Sequence, residues 1–431
     1  MKMEMLAPSA ARLTESLRDI GYDSQTAIAD LVDNSIAAGA TEISVDFEFE
    51  GLNSAVVVAD NGRGMSANEL NEAMRFGTRR EYEPNALGRF GLGLKTASLS
   101  QCRRLTVLSR KTPPLSARVV RRTLDLDTIA KHDEWFITEE PEDERVRRLR
   151  KHFDAVDASG TVVILSKLDR MMNEKTADSG VGRRRLAGVS AKVAEHLSVV
   201  FHRYLDGTAK ILAVNGGRPI TIAVDGVKLT GWDPFARSNE LTEALAPKSL
   251  ELTHAGATYE VGLQRFVLPA RNEFASQEEF DALSGPMKWN RQQGLYFYRA
   301  DRIVQFGGWS GLRGLDEHMK LARAAIDFPT ELDEAFQINV AKMRINLPHQ
   351  IRTMLEKPLQ ELCVMASDRY RRAGSSHRTS GAAKPAGNAD LGDVGVAIRL
   401  AALRAGKLDE VQAVLDLLKT VDPSVHKALA V

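Results

Sequence analysis

Cysteine is scarce in this chain: its 431 residues include two, Cys102 and Cys363, which lie far apart in the sequence. Two distant cysteines offer neither a disulfide framework nor a metal-binding knuckle, and this scarcity is typical of a reducing compartment. No apolar run approaches the length of a membrane span, and the first ten residues lack the apolar core of a signal peptide. We therefore predict a cytoplasmic protein that has no membrane partner.

An excess of charge of either sign is also missing, because 58 Lys and Arg balance 57 Asp and Glu to a net charge of +1. This balance excludes a chain-wide field that would attract nucleic acid or a membrane surface. Basic residues are nevertheless concentrated in 103–122, 145–151 and 183–185. Such clusters are usually solvated faces, and the alternative is a surface that contacts the phosphates of DNA.

The length of the chain predicts more than one domain, because a single hydrophobic core rarely extends over so many residues. The composition changes character near residue 170, and a stretch rich in Gly, Ser and Ala follows the helix that ends near Arg372. We predict a first domain over 1–170, a second over 171–370, a linker over 371–393 and a helical segment over 394–431. Two amphipathic helical turns in the last segment predict a surface that binds a protein partner.

The first motif with chemical potential lies in the predicted helix SQTAIADLVDNSI, which begins near Ser24. Ser24 is a plausible N-cap, and apolar residues at helical spacing predict a buried face. Asp30 and Asn34 lie four residues apart and are therefore neighbours on the polar side of the helix. On a single helix such a pair is usually just solvated, so its meaning depends on the motifs that follow.

The second motif follows a short apolar run, 55–59, that predicts a buried strand. The chain then reads Asp60, Asn61, Gly62, Arg63, Gly64 and Met65. The two glycines permit unusual backbone angles and the close approach of a flat ligand. Asp60 at the strand end offers an acceptor for an exocyclic amine, although a simple Asn-Gly turn would explain the same residues.

The third motif is a polar loop, predicted to act as a mobile lid over 77–90, that leads into a glycine-rich turn. Backbone N–H groups at a glycine-rich helix start form an anion site. This turn is not a Walker A loop, because Leu94 separates Gly93 from Lys95, and it is not a Rossmann turn, because Thr96 replaces the third glycine. Further along, Gly160 and Thr161 precede a predicted strand.

Taken in order, D-x-x-x-N on a helix, D-x-G-x-G, the turn GRFGLGLKTAS and the G-T pair resemble the GHKL ATPase superfamily. This superfamily includes gyrase B, the large ATP-driven heat-shock chaperones, MutL and the MORC proteins. The resemblance is strong over 15–170 and looser over 170–370, where YFYRADRIVQFGGW and KMRINLP look most like MORC and chaperone-type members. It implies an α+β fold: a GHKL (Bergerat) ATP-binding α/β sandwich, then a smaller transducer-like α+β domain and a helical C-terminal tail.

The resemblance also implies ATP and Mg²⁺ as ligands, closure as a homodimer on nucleotide binding, and roles for individual residues. Asp30 would be the general base, Asn34 would coordinate Mg²⁺, and Lys342 would be the transducer lysine that reaches the γ-phosphate. Asp60 would hold the adenine amine with support from Thr161. The remaining nucleotide-binding residues would be Gly62, Gly64, Met65, Gly88, Gly91, Leu92, Gly93, Leu94 and Lys95.

One departure from the family pattern concerns the base, which is usually Glu and is Asp30 here. Asp is one methylene shorter, and a base must come within hydrogen-bond reach of its water. Turnover is therefore expected to depend on a shifted helix, or else ATP acts mainly as a latch. Three functions stay open: an ATPase that acts on DNA in defence or repair, a non-catalytic ATP-dependent switch, and a chaperone-like protein remodeller.

Overall fold

The computed structural model describes residues 8–19, 21–76, 93–112, 118–139, 141–154, 158–210, 212, 218–338, 345–376 and 391–429. The chain forms two compact units. The first takes Met1–Trp232 together with the short turn Ala300–Arg302, and the second takes Asp233–Arg299, Ile303–Gln337 and the chain from Ile345 onward. The predicted α+β class is confirmed.

The first unit is built on a seven-stranded sheet. Its strands are β1 (Glu42–Glu48), β2 (Ala55–Asp60), β3 (Arg104–Arg110), β4 (Val120–Asp125), β5 (Gly160–Ser166), β6 (Thr221–Val224) and β7 (Val227–Lys228). They lie in the order β4-β3-β5-β2-β1-β6-β7, and every pair is antiparallel except β1 with β6. Because β6 pairs with β1, this unit extends beyond residue 170, where the sequence placed the boundary.

The first unit also contains helices, several of which contact strands of this sheet. They are α1 (Ala10–Arg18), α2 (Ser24–Ala37), α3 (Ala67–Met74), α4 (Gly93–Leu99), α5 (Leu126–His132), α6 (Glu144–Arg150), α7 (Gly180–Val200) and α8 (His202–Leu205). Helices α2, α3, α4 and α7 make the contacts with the strands. Helix α2 packs against α4 and α7, while Val146 and Phe153 join a core cluster with β2, β3 and β5. Strand β2 is buried along its whole length, which explains its uninterrupted apolar run.

Helix α2 begins one residue earlier than the predicted cap at Ser24 implies. The N-cap is Asp23, whose side chain accepts a hydrogen bond from the Thr26 N–H at 2.8 Å, and Ser24 is the first helical residue. Ser24 instead donates its hydroxyl to Gln101 at 2.8 Å. The helix ends at Ala37, and Gly39 follows with a φ of 77°, the left-handed conformation that commonly terminates helices.

Gly64 is required by the backbone that surrounds it. Its φ is 63°, and a Cβ at this position would lie 1.9 Å from the Arg110 carbonyl oxygen. We expect Gly64→Ala to lower the free energy of unfolding by about 2–4 kcal/mol, because backbone strain adds to a steric clash. Chemical denaturation measures this loss.

A matched control for that prediction is Gly39→Ala, since Gly39 also has a positive φ but no atom within 4 Å of the added Cβ. It should carry only the left-handed backbone cost of about 1–2 kcal/mol. Equal losses in the two variants would contradict the steric part of the argument.

The second unit holds a six-stranded sheet. Its strands are β8 (Glu243–Ala244), β9 (Lys248–His254), β10 (Ala257–Val267), β11 (Gly294–Arg299), β12 (Arg302–Phe306) and β13 (Ala322–Phe328). The order is β12-β11-β13-β10-β8, and β9 also pairs with β10. Strands β11 and β12 lie next to each other in the aromatic segment YFYRADRIVQF and form a hairpin.

The second unit contains one long helix of 28 residues and a group of shorter helices near the end of the chain. They are α9 (Gln277–Leu283), α10 (Lys288–Gln292), α11 (His349–Ser376), α12 (Leu391–Arg404), α13 (Leu408–Val421) and α14 (Pro423–Ala428). Within the described residues, no helix combines the length and the apolar character that crossing a bilayer requires.

Candidate functional site

Helix α2 carries the D-x-x-x-N pair, and the two residues of this pair differ sharply in solvent exposure. Asn34 is exposed, whereas Asp30 and Asp33 retain 3% and 1% of their accessible surface. Periodicity assigned both acids to the polar side of the helix, so solvation was the simplest interpretation. The structure buries them instead, and a buried carboxylate requires hydrogen-bond donors or a counter-charge.

The Asp30 carboxylate is held at both of its oxygens. The Tyr22 hydroxyl donates to Oδ2 at 2.8 Å, and the Arg302 guanidinium donates to Oδ1 at 2.9 Å. The same guanidinium nitrogen also donates to Asp33. All four residues belong to the first unit, because Arg302 is the last residue of the turn grouped with it.

Arg302 provides the positive charge of this cluster. Burial by itself would lower the pKa of Arg302, but the carboxylates of Asp33 and Asp30 outweigh burial and raise it. His196 lies nearby, and burial, with a smaller contribution from Arg302, lowers its pKa to about 4, so its ring is neutral at pH 7. Two carboxylates of α2 therefore share one guanidinium.

Asp60 ends β2 and is buried, with 4% of its surface exposed. The Ser35 hydroxyl donates to Oδ2 at 2.9 Å, and the Gly62 N–H donates to Oδ1 at 2.9 Å. Burial raises the pKa of Asp60, although these donors and the Thr161 backbone N–H act in the opposite direction. The carboxylate is thus fixed in orientation and protonates at a higher pH than an ordinary Asp.

Thr161 and Met65 meet next to Asp60 through a shared serine. Thr161 is paired with Asp60 between β5 and β2, and its hydroxyl lies 3.0 Å from the Ser109 hydroxyl. The Met65 N–H donates to the same Ser109 oxygen at 2.8 Å. The predicted G-T pair and D-x-G-x-G motif are therefore joined directly, although they are about 100 residues apart in sequence.

The glycines of the second motif have a structural role inside the protein itself. A Cβ at Gly62 would come within 2.9 Å of the Ala38 side chain, and Gly64 faces the Arg110 carbonyl as described above. From the sequence alone, the two glycines predict the close approach of a flat ligand. The packing between this turn, α2 and β3 already requires them.

Lys95 is buried, in the first turn of α4, after Gly93 and Leu94. Its ammonium donates to the Ala73 and Arg75 carbonyls at 2.9 and 2.6 Å, at the end of α3. Burial lowers the pKa of Lys95 to about 8. A phosphate contact by Lys95 would have to replace these two bonds. Gly88, Gly91, Leu92 and Lys342 lie outside the described residues, as does the whole predicted lid over 77–90.

A magnesium ion would find a suitable ligand in Asn34, because amide oxygens suit this hard cation and the side chain is exposed. The described residues contain no group of three or more His, Cys, Asp and Glu that could hold a metal ion. Mg²⁺ usually keeps several waters and binds through few protein oxygens together with substrate phosphates. A single protein ligand fits that pattern.

Many residues of the basic clusters 103–122 and 145–151 are paired with carboxylates. Arg103 contacts Asp127 at 2.8 Å and Arg145 contacts Glu48 at 2.8 Å, with further pairs at Arg122, Arg148 and Arg150. A guanidinium already paired within the protein is a weaker ligand for a DNA phosphate. The pairing therefore favours the interpretation of these clusters as solvated faces.

Tyr22 and Arg302 are the residues that sequence reasoning missed. Tyr22 stands two residues before α2, and Arg302 lies 272 positions after Asp30. Periodicity identifies neighbours along one helix but carries no information about a partner so distant in sequence. The available signal was the position of Arg302, a charged residue at the start of the apolar strand β12 and directly after a hairpin turn.

Residues 22–161 match the family described as histidine kinase-, DNA gyrase B-, and HSP90-like ATPase. This segment contains all the described first-unit residues just discussed except Arg302 and His196. The segment is therefore similar to GHKL-type ATPase domains.

Two individual proteins also match part of the chain, and both are MORC proteins. The chain is 35% identical over 80 residues to Protein MICRORCHIDIA 5 of Arabidopsis thaliana, and 32% identical over 102 residues to ATPase MORC2B of Mus musculus. The matches cover 17% and 22% of this chain. They span 11% and 10% of the relatives' own lengths. The ATPase segment is thus distantly similar to MORC proteins.

Proposed function

We propose that this protein binds Mg-ATP, hydrolyses it slowly and closes as a homodimer while ATP is bound. The main support is the match of 22–161 to the ATPase family, since that segment contains the three motifs in their family order. Further support comes from the geometry, because Asn34, Asp60 and Gly93 belong to one compact unit on α2, β2 and α4.

The proposed reaction is direct attack by water. The water oxygen forms a bond to the γ-phosphorus while the bond from that phosphorus to the bridging β–γ oxygen breaks, so ADP leaves. Asp30 orients the water and accepts its proton, which later passes to solvent. Stabilisation of the transferred group is mainly electrostatic. Bound Mg²⁺ would offset charge that develops on the phosphate oxygens.

The magnesium role of Asn34 can be tested by Asn34→Ala. We expect the dependence of ATP affinity on Mg²⁺ to weaken at least roughly tenfold, because the variant removes the only protein oxygen assigned to the ion. Calorimetric titration of ATP with and without Mg²⁺ measures this.

A suitable control for Asn34 is Asn68→Ala, another exposed Asn on a helix of the same unit. It should bind Mg-ATP like the wild type. Undiminished Mg-dependent affinity in Asn34→Ala would remove Asn34 from the metal site.

The overall proposal is tested by two assays on the full chain. Steady-state phosphate release distinguishes an ATPase from a non-catalytic ATP-dependent switch. Light scattering with and without a non-hydrolysable ATP analogue measures the molar mass and reports dimer closure. A monomer at saturating analogue would contradict the proposed gating.

The substrate is the least constrained part of the proposal. A DNA role is supported by the basic clusters and by the MORC likeness, while the carboxylate pairing of those clusters weakens it. A salt-dependent electrophoretic shift of duplex DNA in the presence of the analogue would support a DNA-binding role, and no shift at low salt would favour a protein remodeller.

The C-terminal helices offer a surface for a protein partner. Three apolar residues of α13 are exposed there: Val414, Leu417 and Val421.

A further inference from the structure

Both oxygens of the Asp30 carboxylate are occupied by donors that come from outside α2. We propose that Tyr22 and Arg302 are positioning residues for ATP hydrolysis, which hold this carboxylate in a single orientation. The inference rests on the proposed function, because it takes Asp30 as the group that orients the attacking water. Neither residue is assigned contact with the nucleotide.

The need for such support follows from the side chain itself. Asp reaches one methylene less far than Glu, so a rotated carboxylate loses contact with its water at once. Misplacement by about 1 Å costs on the order of a hundredfold in rate. Tyr22 and Arg302 approach opposite oxygens at 2.8 and 2.9 Å, which prevents the carboxylate from rotating about its Cβ–Cγ bond.

Two hydrogen bonds do not saturate a carboxylate, because an ionised carboxyl group offers about four lone-pair sites. Asp30 is buried, and the i, i+4 spacing places exposed Asn34, the proposed magnesium ligand, beside it on the helix.

Asp33 contacts the same guanidinium. The Arg302 nitrogen that donates to Asp30 also donates to the Asp33 carboxylate, so Arg302 is itself held between two acids of α2. This second contact restrains the guanidinium that orients Asp30.

Tyr22 also connects Asp30 to the helix that follows the glycine-rich turn. The Thr96 side chain is hydrogen-bonded to the Tyr22 hydroxyl, which in turn donates to Asp30. Thr96 lies on α4, directly after Lys95. The chain Thr96–Tyr22–Asp30 thus couples the position of the base to α4.

The test compares Tyr22→Phe and Arg302→Lys with two controls on the full chain. Tyr296→Phe removes the hydroxyl of another buried Tyr, and Arg299→Lys disturbs another buried Arg–carboxylate pair, both in the second unit. Each variant is assayed for kcat and KM for ATP, for the acid limb of the kcat–pH profile, and for thermal stability.

We expect Tyr22→Phe to lower kcat by about tenfold, the effect of one hydrogen bond to a charged group, while KM stays unchanged. The acid limb should move to higher pH, because the lost donor had favoured the ionised form of Asp30 over the protonated one. Asp33, Arg302 and His196 face the same carboxylate and are intact in this variant. Arg302→Lys should lower kcat as well, because an ammonium cannot reproduce the guanidinium geometry.

Several results would overturn the positioning role. One is an unchanged acid limb in Tyr22→Phe; another is a loss of kcat that merely follows thermal stability, as in the controls. A rise of kcat in either variant would mean that these residues restrain Asp30 instead. If the wild type itself releases no more phosphate than Asp30→Asn, the proposed ATPase fails and the positioning role fails with it, a result visible without the Tyr22 and Arg302 variants.

Discussion

Asp30→Asn should lower kcat for ATP hydrolysis by about two to three orders of magnitude, the usual contribution of a general base. ATP affinity should change little, because Asp30 is assigned to the water and not to the nucleotide. An amide cannot accept the proton, although it keeps the size of the carboxylate. Single-turnover phosphate release together with analogue binding separates the two effects.

Asp33→Asn provides the matched control for this result. Asp33 lies on the same helix, is equally buried and contacts the same Arg302 guanidinium. The Asp33→Asn variant therefore removes one buried acidic group from the same helix and leaves Asp30 unchanged. A wild-type rate in Asp30→Asn, or an equal loss in Asp33→Asn, would remove Asp30 from the role of base.

The sequence predicted the parts of this site that depend on local pattern. The apolar run before Asp60 predicted a buried strand, and β2 is buried throughout. The spacing of Asp30 and Asn34 predicted neighbours on one helix, which α2 confirms. These features follow from the geometry of a single element, so the order of residues is sufficient to find them.

Local sequence patterns do not predict which residues meet in the tertiary structure. The pairing of Thr161 with Asp60 depends on strand order, and the contact of Arg302 with Asp30 depends on where a distant turn is placed. Gly64 shows a related limit: its positive φ fits the predicted turn, but the nearby Arg110 carbonyl, which also excludes a side chain there, could not be read from the sequence. Hydrophobic periodicity reports which face is buried and not which residue covers it.

Asp60→Asn should weaken ATP binding by about 10- to 100-fold, the range for loss of one hydrogen bond to a charged acceptor. The Gly62 N–H can only donate, so the Asn oxygen must face it, and the new amide N–H₂ must point toward Ser35. The adenine amine then meets a neutral group in place of a carboxylate. Calorimetric titration with ATP measures the change.

The pH dependence provides an independent test of the same contact. Burial raises the pKa of Asp60, so its carboxylate takes up a proton earlier than an ordinary Asp as the pH falls. A protonated carboxyl is a poorer acceptor for the adenine amine, and wild-type affinity should therefore decrease on acidification through that pKa. Asp60→Asn has no such group and should lack this part of the pH dependence, while ionisation of the ATP phosphates affects both proteins alike.

Asp46→Asn is the control for this comparison, because burial also raises the pKa of Asp46 but the residue lies on β1, outside the proposed pocket. Its ATP affinity should follow the wild-type pH profile. If Asp60→Asn kept that profile too, the acid-induced loss would come from another group, and Asp60 would no longer be assigned to the adenine. If only Asp60→Asn loses it, the carboxylate at the end of β2 is the adenine acceptor, since no other titrating group differs between the two proteins.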